Sequence, residues 1–157
     1  MIIRNVAESD LDTILKINNH EAKWVGGEAT REEIASYVNK GKFLVSEQDE
    51  ILTGFIIALR ESADYSSKYF QWFKERVPEF VYIDRVVIAE NAMRKGIGTA
   101  LYRSIEGFRG KLPLVCEVTI SPECNAGSVL FHEKLGFKEM DVFSARGDKF
   151  CRMYKKD

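Results

Sequence analysis

Apolar residues spaced three and four positions apart predict the helices of this chain. Near the N-terminus, Leu11, Ile14, Leu15 and Ile17 recur at this spacing. Thr30-Arg-Glu-Glu33 then has the spacing of a capping box, which predicts the start of a second helix. The predicted helices cover residues 11–17, 34–38, 99–108 and 126–135, with a further short one at 68–77.

Runs rich in apolar and β-branched residues predict seven strands. The strongest run, residues 80–88, contains only Asp84 and Arg85 as charged residues, which is typical of a buried strand. The element order alternates between strands and helices and therefore predicts one mixed α/β domain over residues 1–157. The other predicted strands are residues 2–4, 43–46, 51–59, 114–120, 142–145 and 150–154.

The composition agrees with a folded domain and narrows the class of partner. Hydrophobic residues make up 45% and charged residues 30% of the chain, which is enough to form both a core and a solvated surface. The formal net charge of −1 predicts no general attraction to nucleic acid or to an anionic membrane. No stretch approaches the roughly 20 apolar residues of a membrane span. We therefore expect a cytoplasmic protein.

The cysteines and histidines predict neither disulfides nor a metal site. Cys116, Cys124 and Cys151 are odd in number and widely spaced, as in a reduced intracellular protein. His20 and His132 form no ligand spacing with them, whereas a structural zinc needs about four ligands. We predict that no metal is bound.

A glycine loop, Met93-Arg-Lys-Gly-Ile-Gly-Thr99, joins a predicted strand to a predicted helix. The first N–H groups of a helix lack partners within the helix and lie at the positive end of its dipole. Glycines at 96 and 98 let a phosphate approach the backbone closely, and Arg94 and Lys95 add positive charge. The loop therefore favours a pyrophosphate site, although glycines also serve in plain tight turns.

Two other phosphate-binding motifs fit less well. The chain has no Gly-x-x-x-x-Gly-Lys-Ser/Thr sequence, which a P-loop requires. A dinucleotide-binding fold needs a third glycine where this chain has Leu101, and an acid at the end of the next strand, whereas Glu117 lies inside that strand.

Two segments together resemble the GNAT superfamily of acetyl-coenzyme A-dependent N-acetyltransferases. The first is Val86-Val-Ile-Ala-Glu-Asn-Ala-Met-Arg-Lys-Gly-Ile-Gly98, similar to the family's strand followed by Arg/Gln-x-x-Gly-x-Gly/Ala. The second is Asn125-Ala-Gly-Ser-Val-Leu-Phe-His-Glu-Lys-Leu-Gly-Phe137, similar to its Asn-x-x-Ala/Ser motif ending in Gly-Phe. The two are separated by one helix and one strand, as in the family.

This resemblance implies a fold, a cosubstrate and a set of contacts. The fold is a single GNAT-like α/β domain with a mixed central sheet of about seven strands, splayed strands 4 and 5, and about four flanking helices. The cosubstrate is acetyl-coenzyme A, with pantetheine held along strand 4. The implied coenzyme-binding residues are Val86, Val87, Ile88, Met93, Arg94, Lys95, Gly96, Ile97, Gly98, Thr99, Asn125, Ser128, Phe131 and His132.

Two positions depart from the family pattern. Met93 stands where arginine or glutamine usually opens the phosphate loop, but backbone N–H groups still suit a pyrophosphate. His132 stands where the family often has a tyrosine near the coenzyme sulfur, a candidate general acid. A histidine titrates near neutral pH, so His132 is either that acid or a residue that only positions the coenzyme.

Acetyl transfer to an amine also calls for a general base, because a primary amine such as lysine has a pKa near about 10.4. Asp84 and Glu117 are the candidates, since each is a carboxylate inside an apolar strand. Strand alternation places Asp84 and Arg85 on opposite faces. The alternative for either carboxylate is a buried ion pair with Arg85 or another cation.

The predicted partner is an acceptor that bears an amine, whether small molecule, peptide or protein. The aromatic insert at residues 65–73, with Trp24 and Tyr37, is expected either to shape its pocket or to form a satellite core under a long loop. A non-catalytic acyl-coenzyme A sensor or binding module is the alternative function. A homodimer is also possible if residues 150–154 form an exposed sheet edge.

Overall fold

Seven strands, six α-helices and four short 3-10 helices make up the computed structural model, which describes residues 1–157. The predicted α/β class and the predicted number of strands are confirmed. The strands are β1 (Ile2–Asn5), β2 (Lys42–Gln48), β3 (Ile51–Arg60), β4 (Val81–Ile88), β5 (Leu114–Ser121), β6 (Lys138–Arg146) and β7 (Lys149–Lys156). The helices are α1 (Leu11–His20), α2 (Arg31–Ser36), α3 (Lys68–Lys74), α4 (Ile97–Ser104), α5 (Glu106–Arg109) and α6 (Ala126–Lys134).

The strands form one mixed sheet in the order β1-β2-β3-β4-β5-β7-β6. Within it, β4 and β5 pair in parallel through Val81–Leu114 and Tyr82–Val115. These two residue pairs lie at the start of both strands, in agreement with the predicted splay of strands 4 and 5. None of the helices has the length and apolar character needed to cross a bilayer.

The chain divides into two compact units. The first contains Met1–Leu59 and Ile83–Gly110, and the second contains Arg60–Tyr82 and Lys111–Asp157. Strand β4 contributes residues to both. The single domain over residues 1–157 stays a prediction.

In the first unit, local capping starts the early helices as predicted. Thr30 Oγ1 accepts a hydrogen bond of 3.2 Å from the Glu33 N–H, so the predicted cap of α2 is confirmed. Helix α1 buries Leu11 and Ile14, and Phe43 packs against Phe55 across β2 and β3 with ring centroids 5.8 Å apart. These apolar contacts form the core of this unit.

In the second unit, the short helix α3 covers the start of β4. Its side chains Phe70 and Phe73 pack on Phe80 and Tyr82, with ring centroids between 5.4 and 6.3 Å apart. The Ser67 hydroxyl caps the helix by accepting from the Phe70 N–H. The aromatic insert therefore forms part of this unit's core.

One sequence-based expectation about the sheet edge is wrong. Strand β7 is not an edge, because it pairs with β5 on one side and β6 on the other. Cys151, for example, lies opposite Thr119 of β5 and Phe143 of β6. The edge strand at this end of the sheet is β6, which begins at Lys138, four residues before the predicted start. The homodimer stays a prediction without this support.

Candidate functional site

The glycine loop connects β4 to α4 in the first unit, and its backbone turns through two left-handed residues. Arg94 has φ 63° and Gly96 has φ 79°. Gly96 is the N-cap of α4, so the helix begins at Ile97, two residues before the predicted start. A Cβ at Gly96 would meet no atom within 4 Å. Glycine is therefore favoured here by its backbone conformation and not by lack of space.

The beginning of α4 suits an anion. No side chain caps it, and its first turn contains no acidic residue. The Ala100 N–H already bonds to the Gly96 carbonyl at 3.1 Å, which leaves the N–H groups of the first turn as the donors for a ligand. Arg94 and Lys95 are exposed beside them. The loop thus fits a phosphate group, although Met93 contributes no charge.

Strand β4 leads into this loop, and some of its backbone groups face away from the neighbouring strand β3. A Cβ at Gly54 of β3 would lie 2.7 Å from the Val87 carbonyl oxygen, so that oxygen faces β3. Neighbouring residues of a strand turn their backbone groups to opposite edges. The backbone groups of Val86 and Ile88 therefore face away from β3. Pantetheine is predicted to bind on that side of β4.

Asp84 takes part in a buried ion pair. Arg85 Nε donates to Asp84 Oδ2 at 2.6 Å, and the two side chains are 11% and 3% exposed. The same guanidinium donates to Asn18 Oδ1 at 2.9 Å and to the Tyr37 hydroxyl at 3.1 Å. Alternation along β4 does not keep Asp84 and Arg85 apart, because the long arginine side chain reaches back to the carboxylate. These contacts favour the structural alternative for Asp84.

In the second unit, Glu117 is held by a tyrosine that sequence reasoning missed. The Tyr82 hydroxyl donates to Glu117 Oε1 and lies 3.0 Å from Oε2. Tyr82 is 1% exposed, and Tyr65, Phe70 and Phe73 surround its ring. The two residues are 35 positions apart, so only the parallel register of β4 and β5 brings them together.

His132 is buried in the second unit, with 3% of its surface exposed. Its Nδ1 lies 2.8 Å from the Ser128 carbonyl oxygen, to which it donates. The rings of Phe131, Phe137 and Tyr154 pack around it at centroid distances of 5.2 to 6.4 Å. Burial lowers the pKa of His132, which keeps the imidazole neutral at neutral pH. A neutral imidazole is a poor proton donor, which favours the positioning alternative.

Comparison with known proteins now identifies the family. Residues 11–137 match the acetyltransferase (GNAT) family. This chain belongs to that family. The predicted resemblance and the predicted cosubstrate, acetyl-coenzyme A, are thereby confirmed, and acyl transfer is the chemistry of the family.

Individual relatives of this GNAT protein are distant. The aminoglycoside N(6')-acetyltransferase type 1 of Klebsiella pneumoniae is 25% identical over 146 residues, which cover 87% of this chain and 73% of that protein. Naa20 of Chaetomium thermophilum, solved with a bisubstrate analogue, has a TM-score of 0.78 at 18% identity. This match covers 99% of this chain and 86% of the Naa20 chain. YncA of Salmonella typhimurium, solved with acetyl-coenzyme A, has a TM-score of 0.72 at 19% identity, and the match covers 99% of this chain and 92% of YncA. At these identities the two structures show the fold alone.

The second GNAT motif begins at Asn125, the residue before α6. Its N–H donates to the Thr119 carbonyl at 2.9 Å, but its side chain makes no capping bond to the helix. An asparagine at this position often caps the helix through its side chain, but Asn125 does not, so its amide stays a candidate for coenzyme contact. Ser128 Oγ lies 3.2 Å from His132 Nδ1, whereas Phe131 is half-buried beside that ring.

The burial of His132 predicts that the free energy of unfolding decreases in mild acid. The unfolded chain binds a proton at this residue near pH 6.5, whereas the folded chain does so only at a lower pH. Between these two values the unfolded state is favoured as pH falls, by up to about 1.4 kcal/mol per pH unit. Denaturant unfolding at several pH values should show this slope in the native protein and not in His132→Phe. Parallel profiles for the two proteins would contradict it.

Proposed function

We propose that this GNAT acetyltransferase transfers the acetyl group of acetyl-coenzyme A directly to the amine of an acceptor. The observation that carries the proposal is the phosphate loop, where left-handed backbone at Arg94 and Gly96 leads into an uncapped helix. In the proposal, the first-turn N–H groups of α4 bind the pyrophosphate, as helix N-termini do in other proteins. When bound, acetyl-coenzyme A supplies the activated acetyl group.

The chain's own groups have separate roles in this proposal. Backbone groups of Val86 and Ile88 hold pantetheine, because they face away from β3. Glu117 removes a proton from the acceptor ammonium, directly or through water. Tyr82 positions that carboxylate through the hydrogen bonds from its hydroxyl. Asp84 is the counter-ion of Arg85, and His132 supports the helix that begins after Asn125.

A non-catalytic acyl-coenzyme A binding module is the second candidate, and one observation favours it. His132 replaces the frequent tyrosine and is neutral and enclosed, so the departing thiolate lacks that side-chain acid. The two candidates differ in one measurement, the release of free coenzyme A thiol with a panel of amines. Turnover with any amine supports transfer, whereas binding without turnover supports the module.

Gly96→Glu is expected to weaken acetyl-coenzyme A binding by about 10–100-fold, since charge-assisted hydrogen bonds of about 1.5–3 kcal/mol are lost. The new carboxylate would lie at the helix N-terminus and repel the phosphates, and the left-handed φ of 79° would add strain. Isothermal titration calorimetry with acetyl-coenzyme A measures the change directly.

Gly147→Glu is the matched control. Gly147 also has a left-handed φ, 50°, and room for a Cβ, but it lies in the turn between β6 and β7. The Gly147→Glu variant therefore has the same new charge and a similar backbone strain as Gly96→Glu. Equal affinity of the two variants for acetyl-coenzyme A would rule out the loop as the phosphate site.

A further inference from the structure

Strand β3 holds the end of strand β4 closely, through Thr53 and Gly54. The Thr53 carbonyl accepts a hydrogen bond of 2.9 Å from the N–H of Ala89, the residue after β4. A Cβ at Gly54 would lie 2.7 Å from the Val87 carbonyl oxygen and 3.0 Å from Ile88 Cδ1. Only glycine therefore allows the two backbones to approach this closely.

A β-bulge at Thr53 precedes this close approach. Ser46 of β2 lies opposite Gly54, and Glu47 lies opposite Leu52, so Thr53 is the extra residue of β3. A bulge of this kind bends its strand and increases the local twist. The hydroxyl oxygens of Thr53 and the fully buried Ser46 are 2.9 Å apart, which holds the bulge in place. The bulge thus sets the position of the Thr53 carbonyl that Ala89 binds.

The contacts from β3 fix alternate residues of β4. Val87 and Ala89 turn a backbone group to β3, and the backbone groups of Val86 and Ile88 face the other way. The register of β4 with β5 ends at Tyr82, well before these residues. The place of the Val86 and Ile88 backbone groups therefore depends on how closely β3 approaches.

We propose that Gly54, together with the bulge at Thr53, is a positioning residue for acetyl-coenzyme A. It acts through β4, by setting where the backbone groups of Val86 and Ile88 meet pantetheine. This inference rests on the proposed pantetheine site along β4. It adds a requirement on β3 that is separate from the phosphate loop, which begins at Met93.

The size of the displacement decides that the effect is measurable. A methyl group at position 54 has to move from 2.7 Å to at least 3.4 Å from the Val87 oxygen to reach an ordinary contact. N–H···O hydrogen bonds keep heavy-atom distances of about 2.7–3.2 Å. A shift of about 0.7 Å exceeds that range, whether it brings donor and acceptor together or apart. Pantetheine would then lose hydrogen bonds to β4.

Gly54→Ala tests this with two ligands, acetyl-coenzyme A and 3′-phosphoadenosine diphosphate, which lacks pantetheine. We expect acetyl-coenzyme A to bind about 5–20-fold more weakly, the loss of one or two hydrogen bonds, and the fragment to change less than about twofold. Calorimetry measures both affinities, for the fragment by displacement of acetyl-coenzyme A. A general loss of structure would weaken both ligands. Equal changes for the two ligands, or none, would overturn the role of Gly54.

Gly41→Ala is the matched control. A Cβ at Gly41 would overlap the Ala58 carbonyl oxygen and lie 2.9 Å from Leu59 Cδ2, so the same methyl group meets a backbone oxygen. Gly41 precedes β2, at the opposite end of the β2–β3 pair from the bulge. We expect a loss of stability but an acetyl-coenzyme A affinity within about twofold of native. A loss of affinity equal to that of Gly54→Ala would contradict the inference.

Substitutions at Thr53 decide the question if Gly54→Ala does not fold. Thr53→Val keeps the branched shape but removes the hydroxyl that holds the bulge to Ser46, whereas Thr53→Ser keeps that hydroxyl. We expect Thr53→Val to bind acetyl-coenzyme A about 2–5-fold more weakly with the fragment unchanged, and Thr53→Ser to bind both as the native protein does. Native affinity in Thr53→Val would overturn the role of the bulge.

These binding measurements need no acceptor, so they separate this inference from the proposed transfer. A selective loss of acetyl-coenzyme A affinity in Gly54→Ala, without turnover of any amine, supports the inference and contradicts transfer. Turnover by the native protein, with unchanged affinity in Gly54→Ala, overturns the inference alone. If the native protein does not bind acetyl-coenzyme A, both fail.

Discussion

Glu117→Gln is expected to lower kcat for acetyl transfer by about 10²–10⁴-fold, the usual contribution of a general base. The amide keeps the size of the side chain and can still accept from the Tyr82 hydroxyl. It cannot take the proton that the acceptor ammonium must lose. The affinity for acetyl-coenzyme A should not change, because the proposed phosphate contacts lie in the glycine loop. Steady-state kinetics and calorimetry together measure both quantities.

A pH series distinguishes a base from a residue that only maintains the structure. As pH approaches the pKa of the amine, more of the acceptor is already neutral. The loss of kcat in Glu117→Gln relative to the native protein should therefore shrink. Tyr82→Phe should cause a smaller loss, because the carboxylate remains but is no longer held in place. A deficit that is constant from pH 6.5 to 9.5 would count against Glu117 as the base.

Glu133→Gln is the matched control in the same unit. Glu133 also accepts a hydrogen bond from a tyrosine, Tyr154, with 2.8 Å between Oη and Oε2. The same substitution there removes a charge from a tyrosine–glutamate pair outside the proposed machinery. We expect its kcat to stay within about twofold of native, since the proton-transfer group is intact. Equal losses in the two variants would indicate a general effect on folding.

Asp84→Ala is expected to lower the free energy of unfolding by about 3 kcal/mol. The substitution leaves the guanidinium of Arg85 buried without its carboxylate, and breaking a buried pair on one side typically costs about 3–5 kcal/mol. The remaining contacts to Asn18 and Tyr37 place the estimate at the lower end. For a chain of this length the melting temperature should fall by about 6–12 °C. Denaturant and thermal unfolding measure the two quantities.

Asp12→Ala provides the comparison with an exposed ion pair in the same unit. Asp12 accepts from Arg31 Nε at 3.0 Å, but the two side chains are 79% and 44% exposed. Exposed pairs contribute at most about 1 kcal/mol, so this variant should unfold close to the native protein. Asp84→Asn serves a different purpose, because it keeps the oxygen that accepts from Arg85. Loss of turnover with unchanged stability in that variant would make Asp84 the base instead of Glu117.

Features that depend on neighbouring residues could be predicted from the sequence. The glycine loop is one, since the turn at Gly96 and the helix that follows it depend on local backbone preferences. The cap at Thr30 is another, because donor and acceptor lie three residues apart. The two motifs placed the chain in its family for the same reason. They consist of short spacings within a loop and a helix.

Features that depend on distant pairing could not be predicted in this way. The sequence left two carboxylates as candidates for the base, and their environments are decided by partners far along the chain. Asn18, which binds Arg85, is 67 positions away from it, and Tyr82 is 35 positions from Glu117. The tertiary structure also decided that His132 is buried and that β7 lies inside the sheet. Local patterns determine where a helix or strand begins, whereas the protonation and reach of a side chain depend on what the fold packs against it.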